Sequence, residues 1–522
     1  MPMREIARGV FNAQSRRSIR KRARARYAAR VRSRERLAHV SVRFTALVVA
    51  SALFMEQLDG TVLATALPTM ARTFGVDPLE MNVALTAYLL SLAVFIPASG
   101  KVADRFGTRT VFRAAIALFT LGSILCGLSD SLPQLVAARI VQGIGGAMMV
   151  PVGRLVILRS VERSELVNAM TWLMVPAMIG PLLGPPVGGF IVTTLNWRWI
   201  FYINVPVGML GMVLATYYIR DIKDDGPVDF DGWGLLWSAI SLSCLMFGLE
   251  LASRGETSVS ATIAIIAVGL VAGWLYLRHS RRHPTPVLDF SLMRVPTFGL
   301  SVIGGGMTRV AAGAVPFLLP MMLQLGFGMS ALQSGLITFA SSAGSMVMKS
   351  AAKPILRRWG FRSVMIWNGL TSTVFLAAIA SFRPSWPVAS LYGVLLVGGF
   401  FQSLQFTAYN TIAYADIERA RMSSATSFYT TFQQLMLTLG ICTAAAALAG
   451  SIAITGHPQP LLSDYSAAFI AVALVSLAAS PICSRLPRDA GDELSGRRRP
   501  SDATATATAA TATTSADAAS IV

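Results

Sequence analysis

Charge is what this chain has little of. Only 14% of its 522 residues are Asp, Glu, Lys or Arg, and 54% are hydrophobic, whereas ordinary soluble domains carry about 25% charge. A chain this long and this apolar cannot cover itself with water-compatible side chains, which excludes a soluble globular protein. Cysteine is scarce too. Cys126, Cys244, Cys442 and Cys483 all sit in or beside apolar runs, with no CxxC pair and no Cys/His cluster, so a disulfide framework and a zinc site are both disfavoured. The four histidines, His39, His279, His283 and His457, lie outside the centres of the apolar runs. The nucleophile and base, or the metal ligands, that a membrane acyl- or glycosyltransferase would need are therefore missing. No catalytic residue, metal or cofactor is expected, and no nucleic-acid partner.

What the chain has is long apolar runs. A helix needs about 20 mostly apolar residues to cross ~30 Å of hydrocarbon, because an unpaired backbone group in lipid is costly. Fourteen such runs follow one another, from 44–66 to 465–486, and predict an all-α polytopic membrane protein. The division between the second and third is the least clean, with only Ala103 to Thr110 between them. The excess of basic over acidic residues fixes a direction. Fourteen of the 45 basic residues fall in the first 43 positions, while the loops on the other side hold only Arg72, Arg198, Arg254 and Arg383. The positive-inside rule then places both termini in the cytoplasm and the spans in the inner membrane.

Composition divides the chain further. An acidic segment, Arg220 to Asp231, and a basic one, Arg278 to Arg294, bracket the seventh and eighth spans. The expected order is a basic tail (1–43), a six-helix bundle (44–220), two linker helices with their loops (221–295), a second six-helix bundle (296–486) and an Ala/Thr-rich disordered tail (487–522). An Arg-rich, acid-poor start also describes a transit peptide, but the charge bias of the later loops favours a tail lying on anionic lipid. FGTRTV at 106–111 echoes WGFRSV at 359–364, as a repeated half would.

Ionisable residues inside spans are functional candidates, because each adds about 2.5–3.5 kcal/mol to insertion at a helix centre. Glu56 and Asp59, at i and i+3, share one face of the first span and would compete for ionisation. Asp59 and Arg139 lie at matching depths, both roughly 9–12 Å inside the outer boundary at 1.5 Å per residue, so an ion pair is open to them. Arg309, near the middle of the ninth span, has no evident acidic partner. Two further patterns are mechanical. Gly100, Asp104, Arg105, Gly107 and Arg109 form an ordered loop after the second span, in which Gly100 would let backbones approach and Gly107 would make the turn. Gly180, Gly184 and Gly188, with Pro185 and Gly189, would line a groove in the fifth span against another helix.

Together these residues resemble the major facilitator superfamily, and within it the fourteen-span drug:proton antiporters of the EmrB/QacA type. Asp104 with its flanking Gly and Arg residues is similar to the family's loop motif. Arg139, Gln142, Gly143, Gly145, Gly146 and Ala147 are similar to its fourth-helix RxxQGxGGA. The glycines from Gly180 to Gly189 resemble its antiporter signature, and Leu58-Asp59-Gly60-Thr61 with Ala66-Leu67-Pro68 resembles LDxT...ALP. The similarity continues into the sixth span at Trp199-Ile200-Phe201, Asn204, Pro206 and Gly208. The resemblance implies two six-helix bundles plus two central helices, with proton-driven export and no cofactor beyond the proton gradient. It assigns proton coupling to Asp59 and Arg139 and gating to the loop at 100–109. Lys101, Val102, the extra acid Glu56, and Arg357 where the first half has Asp104 depart from the pattern.

The expected mechanism is alternating access, in which protonation of Glu56 and Asp59 lowers affinity for a lipophilic, cationic substrate. The expected cavity lies between the first, fourth, ninth and twelfth spans, with Gln142, Arg309, Gln402, Gln405, Phe406, Tyr409 and Asn410 as its polar and aromatic residues. The other open readings are export of an endogenous metabolite or amphiphile, and import of a small solute.

Overall fold

The computed structural model describes residues 45–491 except 161–165, 220–230, 255–257, 419–420, 458 and 488–489. The basic tail, most of the acidic loop and the Ala/Thr-rich segment from 492 lie outside that range. Among the described residues all regular structure is helical. The first half contains α1 (Thr45–Phe74), α2 (Asn82–Phe106), α3 (Thr108–Leu128), α4 (Leu132–Ser160) and α5 (Leu166–Thr194), then α6 (Trp199–Tyr202) and α7 (Asn204–Tyr218), which together form one span. A central pair follows, α8 (Gly232–Arg254) and α9 (Val259–Ser280). The second half comprises α10 (Pro296–Met321), α11 (Ala331–Trp359), α12 (Phe361–Ile379), α13 (Val388–Ile412), α14 (Met422–Thr455), α15 (Leu462–Leu477) and α16 (Ala479–Cys483), the last two again one span.

Eleven helical stretches among the described residues are long and apolar enough to cross a membrane. The three remaining long helices are α5, α11 and α12. Only the second part of α5 has described side chains, and α11 is diluted by serines and by Lys349, Lys353, Arg357 and Arg358. The boundary between α2 and α3 is sharper than the sequence suggests. Gly107 alone separates them, at φ +94°, and closes α2 with its N–H on the Ala103 carbonyl at 2.9 Å. Gly360 does the same between α11 and α12, at φ +74° with its N–H 2.9 Å from Leu356 O. The echo between FGTRTV and WGFRSV is thus a shared turn in which a side chain would be strained.

We call the end of the bundle where α1 begins the tail end. Packing differs between the two ends. At the end away from the tail, residues of both halves share one core: Leu58 to Met70 of α1 and Ile191 of α5 join Ala311 to Met321 of α10, Ile441 to Leu448 of α14 and Phe469 of α15. At the tail end the cores are separate. Val49, Leu53, Phe112 and Val156 belong to a core of the first half only, and Met348, Phe361, Leu404 and Ile412 to a core of the second. The halves share a core at one end and have separate cores at the other.

The central pair stands at the edge of this arrangement. It touches α2 and α14 through α8, and Trp233, Phe247, Ile263, Leu270 and Trp274 are exposed, as suits helices lying against acyl chains. Lys101 at the tail end of α2 reaches the loop after α9, its Nζ 3.2 Å from Thr285 O and 3.3 Å from Thr285 Oγ1. The start of α8 is pinned to the end of α9 by Asp231. Its Oδ1 accepts from Gly234 N at 2.8 Å and lies 2.6 Å from His279 Nε2, and its Oδ2 accepts from Val287 N at 3.3 Å. Burial alone would raise this carboxyl, but the Gly234 and Val287 N–H groups and the imidazole outweigh it and hold it below the usual carboxylate range. A lowered folded-state value contributes stability that is complete above the unfolded value, about 3.9, and is lost as pH falls through the folded one. Asp231→Asn should therefore flatten the acid limb of a thermal-stability profile of the full chain between pH 6 and 3. An unchanged acid limb would remove Asp231 from that role.

Candidate functional site

Two charged assemblies lie inside the bundle, one within the first half and one between the halves. The first is built on α1 and α4. Glycines on α4 let it press against its neighbours: an added Cβ at Gly143 would strike Ser91 of α2, and at Gly145 the backbone of Phe119 on α3. This close packing carries Arg139 to Asp59, with Nη1 2.5 Å from Oδ2 and both side chains out of solvent. The Arg139 Nη1 also donates to Gln142 Oε1 at 2.6 Å, and its Nε to Ala84 O at 3.2 Å. The second carboxylate oxygen, Asp59 Oδ1, accepts from Gln142 Nε2 at 2.8 Å and Asn204 Nδ2 at 3.1 Å. Ser123 Oγ on α3 accepts from the same two amides at 2.9 and 3.3 Å, and the guanidinium stacks over the Tyr88 ring at 4.2 Å. The two charges sit in a low-dielectric shell in which each compensates the other.

Glu56 takes no part in that network. Its carboxyl is buried a turn nearer the tail end, and its Oε2 has no hydrogen-bond partner among the described residues. The two acids thus occupy different surroundings despite their i, i+3 spacing.

The second assembly is a central cavity of about 560 Å³ between the halves. Its wall includes Gln57, Thr61 and Thr65 of α1, Pro181 and Pro185 of α5, Ser341 and Lys349 of α11, and Gln433 of α14. It also includes four residues singled out in the sequence, Arg309 of α10 and Gln402, Phe406 and Asn410 of α13. Gln142, Gln405 and Tyr409 are placed elsewhere. Gln142 is fully buried beside Asp59, Gln405 donates to Met365 O at 2.8 Å and accepts from Asn368 Nδ2 at 2.7 Å, and the Tyr409 hydroxyl meets Cys483 Sγ at 2.9 Å. The stripe 402, 406, 410 of α13 faces the cavity while the stripe 405, 409 packs inside the second half. Among the described residues the fourth span contributes none to this wall; its Arg139 and Gln142 turn into α1, α2 and α3. Instead α5, α11 and α14 complete it.

Arg309 is nearly buried, with Nη1 3.3 Å from Gly305 O, Nη2 2.9 Å from Asn410 Oδ1, and the rings of Phe406 and Tyr429 each 5.2 Å away. Gln433 Nε2 donates to the same Asn410 oxygen at 2.9 Å. Lys349 Nζ lies 3.4 Å from Thr407 Oγ1. The wall holds these two cations and, among the described residues, no Asp or Glu. Sequence reading passed over Lys349 as one of the many basic residues towards the tail end.

The glycines of α5 make close contacts on two sides. A Cβ at Gly180, Gly184 or Gly188 would collide with Gln57, Thr61 or Thr65 of α1, whereas one at Gly189 would collide with Ala331 O of α11, across the seam between the halves. Gly335 returns the contact from α11 against Pro185 O. Hydrogen bonds cross the same seam from Leu332 N to Thr193 Oγ1 at 3.2 Å and from Ser342 Oγ to Pro181 O at 3.0 Å. The loop expected at 100–109 is helical except at Gly107, which makes the turn: Gly100, Asp104 and Arg105 lie in the last turns of α2 and Arg109 in the first turn of α3, with Asp104 and Arg109 half-buried and Arg105 exposed, its guanidinium over Phe106. Gly100, expected at a close backbone approach, has open space where its Cβ would be.

Among the described residues one trio has the spacing of metal ligands, Asp231, His279 and His283. The Asp231 oxygens are already engaged by Gly234, Val287 and His279, so the trio is accounted for as the pin between α8 and α9.

Comparison with known proteins agrees with this architecture. The sequence model of the Major Facilitator Superfamily matches residues 49–441 and 300–515. A protein named multidrug resistance protein MdtD from Pectobacterium carotovorum subsp. carotovorum (strain PC1) is 39% identical over 408 residues, 77% of this chain and 86% of that protein. Its namesake from Escherichia coli (strain K12) is 36% identical over 467 residues, 89% of this chain and 98% of that one. In three dimensions the chain is similar to a D-xylose–proton symporter, with a TM-score of 0.61 at 15% identity over 86% of this chain and 98% of the symporter. It is also similar to a bacterial homologue of the human lysosomal transporter Spinster in an inward-facing, unoccupied conformation, with a TM-score of 0.60 at 14% identity over 88% of this chain and 99% of that one. These two likenesses concern the fold. With the family matched across most of its length and relatives above a third identical, the chain belongs to the major facilitator superfamily.

Proposed function

We propose that this transporter is a proton-coupled exporter of lipophilic small molecules that works by alternating access. The observation that carries the reading is the sealed Asp59–Arg139 pair, set behind the α1 wall of a cavity whose flanking cores are joined at one end and parted at the other. A proton on Asp59 would cancel the only carboxylate compensating a buried guanidinium, so its arrival changes the packing preference of α1 and α4. A proton that binds one arrangement better than the other is what lets a gradient do work. Glu56, with its orphan oxygen, is a second acceptor on the same helix, nearer the tail end.

In this reading both termini lie in the cytoplasm, the protein sits in the inner membrane, and the cavity faces inward. Residues 44–220 and 296–486 are the two moving bundles, and 221–295 the central linker. The loop at 100–109 gates the tail end, and the α5 glycines carry the seam at the other. The relatives named for multidrug resistance support lipophilic substrates. The expected cationic charge finds no such support in the wall, which among the described residues offers a cation no carboxylate.

The test is flux in proteoliposomes. Under an imposed pH gradient, members of a panel of amphiphiles of either charge should move against their own gradients, and a protonophore should stop them. Flux that ignores the pH gradient would remove proton coupling from the proposal.

A further inference from the structure

The charge of the cavity wall points to a substrate class. We infer that the transported molecule is an organic anion, an apolar body bearing a carboxylate, sulfonate or phosphate, held by Arg309 and Lys349. The inference rests on the export reading for the movement of the ligand, but not for its binding.

A guanidinium does not lose its proton in a protein, so the Arg309 cation persists at any working pH, and an unpaired charge at membrane depth is costly. Arg139, the comparable arginine of the first half, has a carboxylate of its own. Arg309 has none among the described residues; its partners are two neutral oxygens, Gly305 O and Asn410 Oδ1, at 3.3 and 2.9 Å. Lys349 on the adjoining α11 adds a second positive charge with a hydroxyl, Thr407 Oγ1, as its partner. Asn410 Oδ1 receives both Arg309 and Gln433, which leaves the Asn410 Nδ2 group as a donor beside them. The wall is therefore rich in donors and in positive charge. An anion supplies what it lacks, whereas a cation would meet two like charges. The apolar body of the ligand has its own surface, with Phe406 against the guanidinium and Val315, Pro316 and Leu437 near by.

Charge accounting gives the inference a consequence that a cationic substrate would not share. At one proton inward per molecule outward, exporting a cation moves no net charge. Exporting a monovalent anion moves two positive charges inward per cycle, so an inside-negative potential drives it along with the pH gradient.

The test uses the full chain and two permanently charged probes with one ring system, 2-naphthalenesulfonate and 2-naphthyltrimethylammonium. In phosphatidylcholine nanodiscs the sulfonate should bind saturably and the ammonium should not. Arg309→Gln and Lys349→Gln should each weaken sulfonate binding about ten-fold or more, the size of a hydrogen bond to a charged group. Lys349 is exposed to the cavity, so its variant keeps the test informative if Arg309→Gln misfolds. Equal or tighter binding of the ammonium, no sulfonate binding, or sulfonate binding that ignores both substitutions would overturn the inference. Displacement of the sulfonate by phosphatidylglycerol added to the discs would assign the anion to a lipid headgroup, and no displacement to a free solute; either supports the anion site. In proteoliposomes, sulfonate export should accelerate with a valinomycin-imposed inside-negative potential at fixed pH gradient. Sulfonate that binds but never moves would sink the export reading and leave the anion site standing. Gradient-driven export of the ammonium with no sulfonate binding would do the reverse.

Discussion

Asp59→Asn should abolish proton-driven efflux while leaving a protein that still inserts and folds. The asparagine keeps an acceptor for Gln142 or Asn204 but deprives Arg139 of its counter-charge in a site closed to solvent. Removing one partner of a buried pair costs about 3–5 kcal/mol, a factor of roughly 10² to 10⁴ in any equilibrium that depends on the pair. Two measurements separate coupling from folding. Thermal unfolding should drop in Asp59→Asn and recover in part when Arg139→Gln is added, because the double variant buries no unpaired charge. Gradient-driven efflux in inverted vesicles should be lost in both. Undiminished coupling in Asp59→Asn would take the proton away from this carboxyl.

The second large effect separates two glycines five positions apart. Gly184→Leu forces a side chain into Thr61 of the same half, and Gly189→Leu forces one into the Ala331 carbonyl of the other half. Overpacking costs about 1–3 kcal/mol or more. At Gly184 that cost falls on every conformation that keeps α5 on α1, so thermal stability should fall. At Gly189 it falls on the sealed seam alone, and the balance between conformations should shift by roughly 5- to 150-fold. A disulfide between Thr193→Cys and Leu332→Cys, residues joined by a hydrogen bond across that seam, reports the sealed state. Cross-linking should collapse in the Gly189→Leu background with little change in melting temperature. Equal cross-linking would show that the seam does not set the conformational balance.

Much of this was legible in the chain because the membrane makes polar residues conspicuous. Asp59 and Arg139 stand out in apolar runs, and equal depth brought them together before any coordinate did. Gly107 and Gly360 were visible as an echo. What stayed hidden depended on rotation and on long-range partners. All residues of α13 between 402 and 410 except Leu404 and Ala408 are polar or aromatic, and sequence could not tell the stripe 402, 406, 410 from the stripe 405, 409. Lys349 looked like one more basic residue near the tail side until α11 turned it into the cavity. Asn204 was noted for its similarity to the family, but its bond to Asp59 spans 145 residues and depends on the break between α6 and α7. His279 and Asp231 likewise meet across 48 residues.

The hold of Lys101 on Thr285 has a bearing on the lipid around the protein. Because Lys101 at the tail end of α2 holds the loop behind α9, the proposed alternating access would drag the outlying helical pair sideways with α2, and those helices carry large apolar side chains on their exposed faces. In that reading part of the friction in each turnover would belong to the bilayer, and acyl-chain order and thickness would help set how fast the machine runs.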